Sequence, residues 1–299
     1  FFVANIVEAL KIRKKFKSIT IFVLNGLNKG EEKTFFSNNI TPVLNNYNQF
    51  ERWTSYIKVN FNRPLMLHVD TGMNRLGFQK LDIEKLKKNR KKLEQFKNVT
   101  VMSHLACADD KTNKFNLEQK KELDSFKKEF PKCRYSLAAS GGIFLGKKYH
   151  YDMVRPGISL YGGKRTFHKK IKHAVALKAP IIQINKIKKG ESIGYSRTYF
   201  AKQNTITATI SVGYADGMNI RLSNKGYFHF KKKKVSIIGR VSMDLIILDI
   251  TKFKNKIKVG DYIDIYNKNY TIDDFAKQSG TIPYRIITCM SSRYDKKYI

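Results

Sequence analysis

A chain of 299 residues with 42% apolar side chains can bury one large core or two, and its 58 basic against 24 acidic residues give a formal charge of +34. That charge is mostly Lys spread along helix-like stretches such as KKLEQFK and KKELDSFKK, a pattern of solvated faces rather than a nucleic-acid footprint. Cys107, Cys133 and Cys289 have no paired spacing, which excludes a disulfide framework and a zinc pattern and fits a reducing, cytoplasmic compartment; no apolar run nears the roughly 20 residues of a membrane span.

The chain opens on Phe1-Phe2-Val3-Ala4, which reads as a strand already under way, so a preceding segment is expected to be missing. Asn5-Ile6-Val7-Glu8 starts a helix in the manner of a capping box, with Ile6, Val7 and Leu10 on one side. Residues 19–25 form a continuous apolar strand. Residues 65–70 form another, which ends in the Asp70-Thr71-Gly72 turn and delivers Arg75 just past its C-terminal end. A Lys-rich helix follows near 83–96, with Leu86, Leu93 and Phe96 on one face, then a strand over 99–106 bearing His104. Asn116 and Gln119 have near-capping-box spacing at the start of a helix over 116–130. A strand over 135–140 runs into Ser-Gly-Gly, and 153–161 hold Arg-Pro-Gly and a further short strand. Apolar strands alternating with amphipathic helices predict a parallel sheet, and their spacing favours a (β/α)8 TIM-like barrel over 1–165. Past Thr166 the pattern changes. Segments 176–187, 205–212, 234–238, 243–250 and 262–266 are β-rich, only 272–278 looks helical, and the lysine run 231–234 sits like a hairpin tip. Residues 166–299 are therefore expected to form a mostly antiparallel β domain.

Four loops of the parallel half offer polar groups at strand ends: Arg75, His104, Ser140 and Arg155-Pro156-Gly157-Ile158. Ser140-Gly141-Gly142 and Arg-Pro-Gly supply a hydroxyl and glycine-flanked N–H groups on which an anion such as phosphate could close. Each motif alone is most simply an ordinary turn; their clustering in the last loops of a barrel reverses that. In the β domain, Tyr195 and Tyr214 lie in Gly-flanked turns, and Gly239-Arg240-Val241-Ser242-Met243-Asp244 leads into a strand.

With these residues in view, the whole chain resembles the alanine racemase family, fold-type III enzymes that use pyridoxal 5'-phosphate. The markers are VDTGMNRLG from Val69, SHLACAD from Ser103, VRPGISLYG from Val154, GYADG from Gly213 and GRVSMD from Gly239. The resemblance implies a homodimeric cytoplasmic bacterial enzyme, with no metal, that interconverts L- and D-alanine and supplies D-alanine for peptidoglycan. It implies that Tyr195 is the catalytic tyrosine and acts in the partner subunit's active site. Arg155 would face the pyridine nitrogen of the cofactor, and His104 would belong with it to the network that supports the phenolate. Arg75, Met243 and Tyr214 would meet the substrate. Ser140, Gly157, Ile158 and Tyr284 would hold the cofactor phosphate.

The sequence also departs from the family. No Lys-Ala-Asn-Ala-Tyr-Gly-like motif is present, so the Schiff-base lysine of the first barrel strand has no counterpart. These 299 residues alone are thus expected to be an inactive, truncated racemase. His68 stands where many members carry a lysine that orients the arginine matching Arg75, Ala139 where an Asn is common, and Arg285 where a Glu is usual. Other readings are a broad-specificity or basic amino-acid racemase, a decarboxylase relative, a non-catalytic pyridoxal-phosphate binder, and a nucleic-acid binder, which a salt-dependent filter titration would reveal.

Overall fold

The computed structural model describes residues 1–57, 63–164 and 171–298. They form two compact units, Phe1–Pro156 and Gly157–Ile299. The change of sequence pattern at Thr166 falls outside the described residues.

The first unit is a parallel sheet laid down in chain order. Its strands are β1 (Phe2–Val3), β2 (Phe22–Val23), β3 (Thr41–Leu44), β4 (Leu65–His68), β5 (Val99–Met102) and β6 (Arg134–Ser136), each hydrogen-bonded to the next. The connections carry α1 (Ile6–Lys15), α2 (Glu32–Ser37), α3 (Tyr47–Tyr56), α4 (Lys80–Lys88), α5 (Arg90–Glu94) and α6 (Phe115–Glu129), and α7 (Ser140–Phe144) follows β6. This alternation is TIM-like, as expected. β3 and β4 are buried at every position, as strands covered on both faces must be. Leu44, Leu65, Leu67 and Val101 pack with Phe35, Phe50 and Trp53 of the helices, whereas Val43, Met66 and Met102 form a separate cluster. The period of two puts His68 on the same face as Met66, and Ser136, register partner of Met102, beside them. That face turns from apolar to polar at the carboxyl ends of the strands.

Several local expectations are corrected. Asn5 does cap α1, its Oδ1 accepting from Glu8 N at 3.1 Å, but Val7 is exposed while Ile6 and Leu10 pack on the core. The helix over 83–96 is broken at Asn89 into α4 and α5. Asn116 and Gln119 do not cap α6: both are buried inside it, and their side chains bond to loops. The strand foreseen within 153–161 is a single parallel bridge, Ala139 to Arg155, followed by a 3-10 turn at Ile158–Tyr161. β3, α2 and α3 were not anticipated at all.

The second unit is a closed six-stranded barrel, all of its pairs antiparallel. Its strands are β7 (Leu177–Ile187), β10 (Thr205–Ile210), β11 (Tyr227–Phe230), β12 (Lys233–Ile237), β13 (Ile246–Asp249) and β14 (Tyr262–Tyr266). A small separate pair, β8 (Ser192–Ile193) and β9 (Tyr199–Phe200), lies between β7 and β10 in sequence. Phe228, Ile246, Leu248, Ile263, Ile265 and Phe275 fill the core, and burying each such side chain stabilises by about 1.5–3 kcal/mol. Lys231 and Lys232, with φ of 45° and 70°, make the tight turn of the β11–β12 hairpin, so the first half of the lysine run is the hairpin tip, while Lys233 and Lys234 already belong to β12. Helix α8 (Ile272–Gln278) has the Thr271–Asp274 capping box, and a second helix, α9 (Pro283–Thr288), begins with proline in its first turn. Among the described residues no helix is long and apolar enough to cross a membrane.

Candidate active site

In the first unit the polar strand ends converge. His68, at the end of β4, is buried and its Nδ1 lies 2.9 Å from Asn45 Oδ1. The Asn45 amide is fixed, because its Nδ2 donates to Leu24 O at 3.0 Å and Val43 O at 3.1 Å. Oδ1 is therefore the acceptor and His68 carries its proton on Nδ1, which leaves Nε2 as a bare lone pair. Burial, then the Arg155 charge, lowers His68 to about 4, and the same two causes, joined by Arg75, lower His104 to about 4. Both imidazoles are neutral at pH 7. Arg155 itself is lowered by burial to about 10 and keeps its charge.

The Arg155 guanidinium is held as a fork. Nη2 donates to Ser103 O at 2.6 Å and Leu137 O at 3.4 Å, and Nη1 donates to Ser136 Oγ. Ser136 Oγ in turn donates to Met153 O at 2.7 Å, which ties the Arg155 segment to β6. Arg75 is exposed on a loop that its own backbone closes. Asp70 Oδ1 accepts from Gly72 N at 2.9 Å and Asn74 N at 3.1 Å, while Oδ2 accepts from Gln79 Nε2 at 2.7 Å. Gly77, at φ 121°, is required there, since a Cβ would stand 2.6 Å from Asp70 N. Ser140, buried, opens the short helix α7.

One residue holds these loops together. Gln119 is fully buried; its Nε2 donates to His104 O at 3.0 Å and to Thr71 Oγ1 at 3.2 Å, and its Oε1 accepts from Ala106 N at 2.8 Å. Thr71 and Ser103 share a hydroxyl bond of 2.8 Å. The loops after β4 and β5 are thus one clamped body. Sequence reasoning missed Gln119 and Asn45 as site supports. The only local sign is the polar pair Asn116/Gln119 at helical spacing, which also fits a helix start and does not reveal the clamp.

The second unit gathers the other sequence candidates. Tyr195 is 71% exposed, Met243 53% and Tyr214 42%. Their turns interlock through backbone. Tyr214 N donates to Ser242 O and Ala215 N to Met243 O, both at 3.0 Å. Gly213 can only be glycine, because a Cβ would lie 2.2 Å from Met243 O. The Tyr195 turn rests on the Gly239–Arg240 backbone, with Gly194 at φ 77° and Ser196 at φ 57°, and Arg240 Nη1 donates to Ser196 Oγ at 3.1 Å. Behind Tyr214, Asp216 accepts from Gly213 N at 2.9 Å, and Arg293 bridges Asp216 and Asp244. Gly157 precedes the turn that buries Ile158, and Ile158 and Pro283 both press on Gly163, which places Tyr284 of α9 in the same neighbourhood.

A parallel βα sheet whose strand ends carry two cationic arginines beside two neutral histidines, followed by an antiparallel barrel with exposed tyrosine turns, defines an enzyme of the α/β-plus-β-barrel class. Family models of the alanine racemase N-terminal domain and C-terminal domain match residues 1–165 and 174–298. An alanine racemase of Rickettsia bellii is 39% identical over 304 residues, covering 100% of this chain and 74% of the relative, and that of Rickettsia canadensis is 38% identical, covering 100% and 84%. The crystal structure of the Bartonella henselae alanine racemase, which has covalently bound pyridoxal phosphate, superposes with a TM-score of 0.94 at 35% identity, over 100% of this chain and 84% of that one. The chain belongs to the alanine racemase family.

Proposed function

We propose that this protein interconverts L- and D-alanine with pyridoxal phosphate. The observation that carries the proposal is the cluster of Arg75 and Arg155 with His68 and His104, in which burial keeps the imidazoles neutral and leaves the guanidinium groups as the fixed positive charges. The donor set fits the cofactor. Arg155 gives hydrogen bonds and cannot surrender its proton at neutral pH, which suits an unprotonated pyridine nitrogen. The family resemblance assigns the cofactor phosphate to Ser140, Gly157, Ile158 and Tyr284, whose hydroxyl and backbone N–H groups are the types that bind one. When bound, pyridoxal phosphate supplies the electron sink that acidifies the Cα–H bond of an amino acid.

The residues divide the remaining work. Arg75 binds the substrate carboxylate, and the Met243 backbone N–H and Tyr214 orient it. Tyr195 Oη moves the Cα proton on one face, aided by the Arg155 charge and the neutral His104 beside it. The protein works as a homodimer in which Tyr195, Tyr214 and Met243 of one subunit complete the strand-end cluster of the other; their exposure in the single chain supports this. The opposite face of Cα needs a second proton carrier, which the family places on a lysine whose motif has no match in residues 1–299. The setting is the bacterial cytoplasm, and the product D-alanine serves peptidoglycan.

The test uses protein from its natural source. Borohydride reduction with pyridoxal phosphate followed by peptide mass mapping locates the attachment lysine. Exchange of the alanine Cα proton in D2O is then followed from each enantiomer. Tyr195→Phe is expected to slow exchange from one enantiomer by about 10²–10⁴-fold, the scale of a lost general base, and to spare the other. Absence of any pyridoxyl-lysine together with no exchange overturns the racemase reading.

A further inference from the structure

One end of the antiparallel barrel carries a concavity of about 510 Å³ lined by Phe230, Lys231, Lys233, Lys234, Lys252, Phe253 and Lys256. Lysine and arginine make up 58 of the 299 residues, yet lysine makes up five of these seven, so general basicity does not account for the lining. The lysines come from two separate parts of the chain. Lys231, Lys233 and Lys234 belong to the β11–β12 hairpin, whose tip is fixed by left-handed backbone at Lys231 and Lys232. Lys252 and Lys256 belong to the 3-10 turn at Thr251–Phe253 and the loop after it. Among the described residues, none of the five lies within ion-pair distance of a carboxylate. Lys234 Nζ is held 4.2 Å over the Tyr227 ring, on the strand face opposite Lys233, so the cavity is left with the charges of Lys231, Lys233, Lys252 and Lys256 and no carboxylate beside them, an arrangement that a multivalent anion relieves.

We propose that this barrel mouth is a binding site for a linear polyphosphate chain, separate from the active site. A chain of several phosphates can meet lysines on both walls, whereas a single phosphate reaches only a few. The aromatic residues argue against a nucleic-acid strand held by base stacking. Phe230 and Phe253 meet edge to face, with centroids 5.9 Å apart, and are 6% and 8% exposed, so they form an apolar floor with no ring face left open. Lys231 Nζ lies 5.3 Å from the Phe230 ring centroid, which positions an ammonium at the edge of that floor. Lysine suits this task because it is a mobile point charge that adapts to a flexible anion.

The experiment is a calorimetric titration of the cofactor-loaded protein with tripolyphosphate, ATP and orthophosphate at two salt concentrations. Tripolyphosphate is expected to bind saturably at one site, more weakly at higher salt, and at least tenfold more tightly than orthophosphate. ATP matching tripolyphosphate shows that the phosphate chain alone is read; tighter ATP binding overturns the assignment to a polyphosphate chain. The variant K233A/K252A/K256A should weaken tripolyphosphate binding at least tenfold. The control K11A/K14A/K17A, which removes the same charge from the surface of the other unit, should leave it within twofold. Equal weakening by both variants, no effect of the first, or non-saturable binding overturns the proposal.

Discussion

The two units hold their candidate site residues by opposite means. In the parallel sheet, the polar groups stand at strand ends and are fixed by side-chain hydrogen bonds under burial: Asn45 on His68, Gln119 on the His104 loop, and Ser136 with the Ser103 carbonyl on Arg155. In the antiparallel barrel, Tyr195, Tyr214 and Met243 are exposed, and it is the backbone beneath them that is fixed, by glycines at close approaches and by left-handed φ at Gly194, Ser196 and Arg197. Burial tunes charge, so the sheet half can set protonation states. Exposed turns cannot do that, but they can present side chains to something outside the chain.

The largest effect should come from the backbone-built half. Gly213→Ala drives a Cβ to 2.2 Å from Met243 O and 2.4 Å from Ser242 O, both backbone atoms that cannot swing away. The Tyr214 and Met243 turns must separate, and thermal denaturation should show a loss of roughly 4 kcal/mol or more, at the diagnostic end of the single-mutant range. The control is Gly190→Ala, at φ 88° with no atom within 4 Å of the new Cβ, which bears backbone strain alone and should lose only about 1 kcal/mol. Similar losses in the two variants would show that the interlock adds nothing beyond strain.

Next comes the hydrogen-bonded half. Arg155→Lys keeps a charge but cannot bridge Ser136 Oγ, Ser103 O and Leu137 O at once, because an ammonium lacks the planar fork. Leaving buried carbonyls short of a donor costs about 1–3 kcal/mol. The variant should fold, bind pyridoxal phosphate more weakly by cofactor absorbance titration, and fail to recover with added cofactor the exchange rate of the parent. Full recovery at saturating cofactor would reduce Arg155 to a binding role.

The same contrast decides what could be read in the sequence. The (β/α) order, the β-rich second half and the lysine hairpin were legible because each rests on local periodicity or turn chemistry. β3, α2 and α3 have no counterpart in the sequence reading: the strand TPVL carries a Pro, whereas α3 was locally legible, with Asn46 as its cap and Tyr47, Phe50 and Trp53 as an apolar stripe. Asn45 follows that strand directly, so missing the strand meant missing the partner of His68. Gln119 was invisible as a clamp because its partners lie in the loops after β4 and β5, a long-range relation that no local pattern encodes. Arg75, His104 and Arg155 were found as strand-end residues, but the neutrality of both histidines follows from burial and from the Arg155 charge, which only the folded sheet supplies.

That neutrality makes acid stability a measure of the buried half. His68 and His104 are lowered from 6.5 to about 4, so the unfolded chain binds their protons more readily than the folded one. Stability is then full above about pH 6.5 and falls as the pH drops toward 4, with a slope approaching ~1.4 kcal/mol per pH unit for each histidine. Urea midpoints between pH 7 and 4.5, compared with His68→Gln, should show a shallower slope in the variant. An unchanged slope would place the acid sensitivity elsewhere.

The smallest and sharpest test leaves the histidine in place and changes its partner. Asn45→Asp substitutes a carboxylate oxygen for the amide Oδ1 at 2.9 Å from His68 Nδ1, and a neighbouring negative charge favours the imidazolium. The His68 pKa should rise from about 4 toward its ordinary value, read from the pH dependence of its Cε1–H resonance, while His104 does not follow, because a charged His68 adds to the charges that lower it. The new carboxylate also loses the donor contacts that Nδ2 gave to Leu24 O and Val43 O, so a stability loss of about 1–3 kcal/mol accompanies the shift. The two readouts separate tuning from scaffolding. If stability falls while His68 still titrates near 4, Asn45 only braces the strand ends, and the neutral histidine is set by desolvation and Arg155 alone. If His68 titrates higher and Cα-proton exchange falls as it becomes charged, a neutral imidazole beside Arg75 and Arg155 is a requirement of the site.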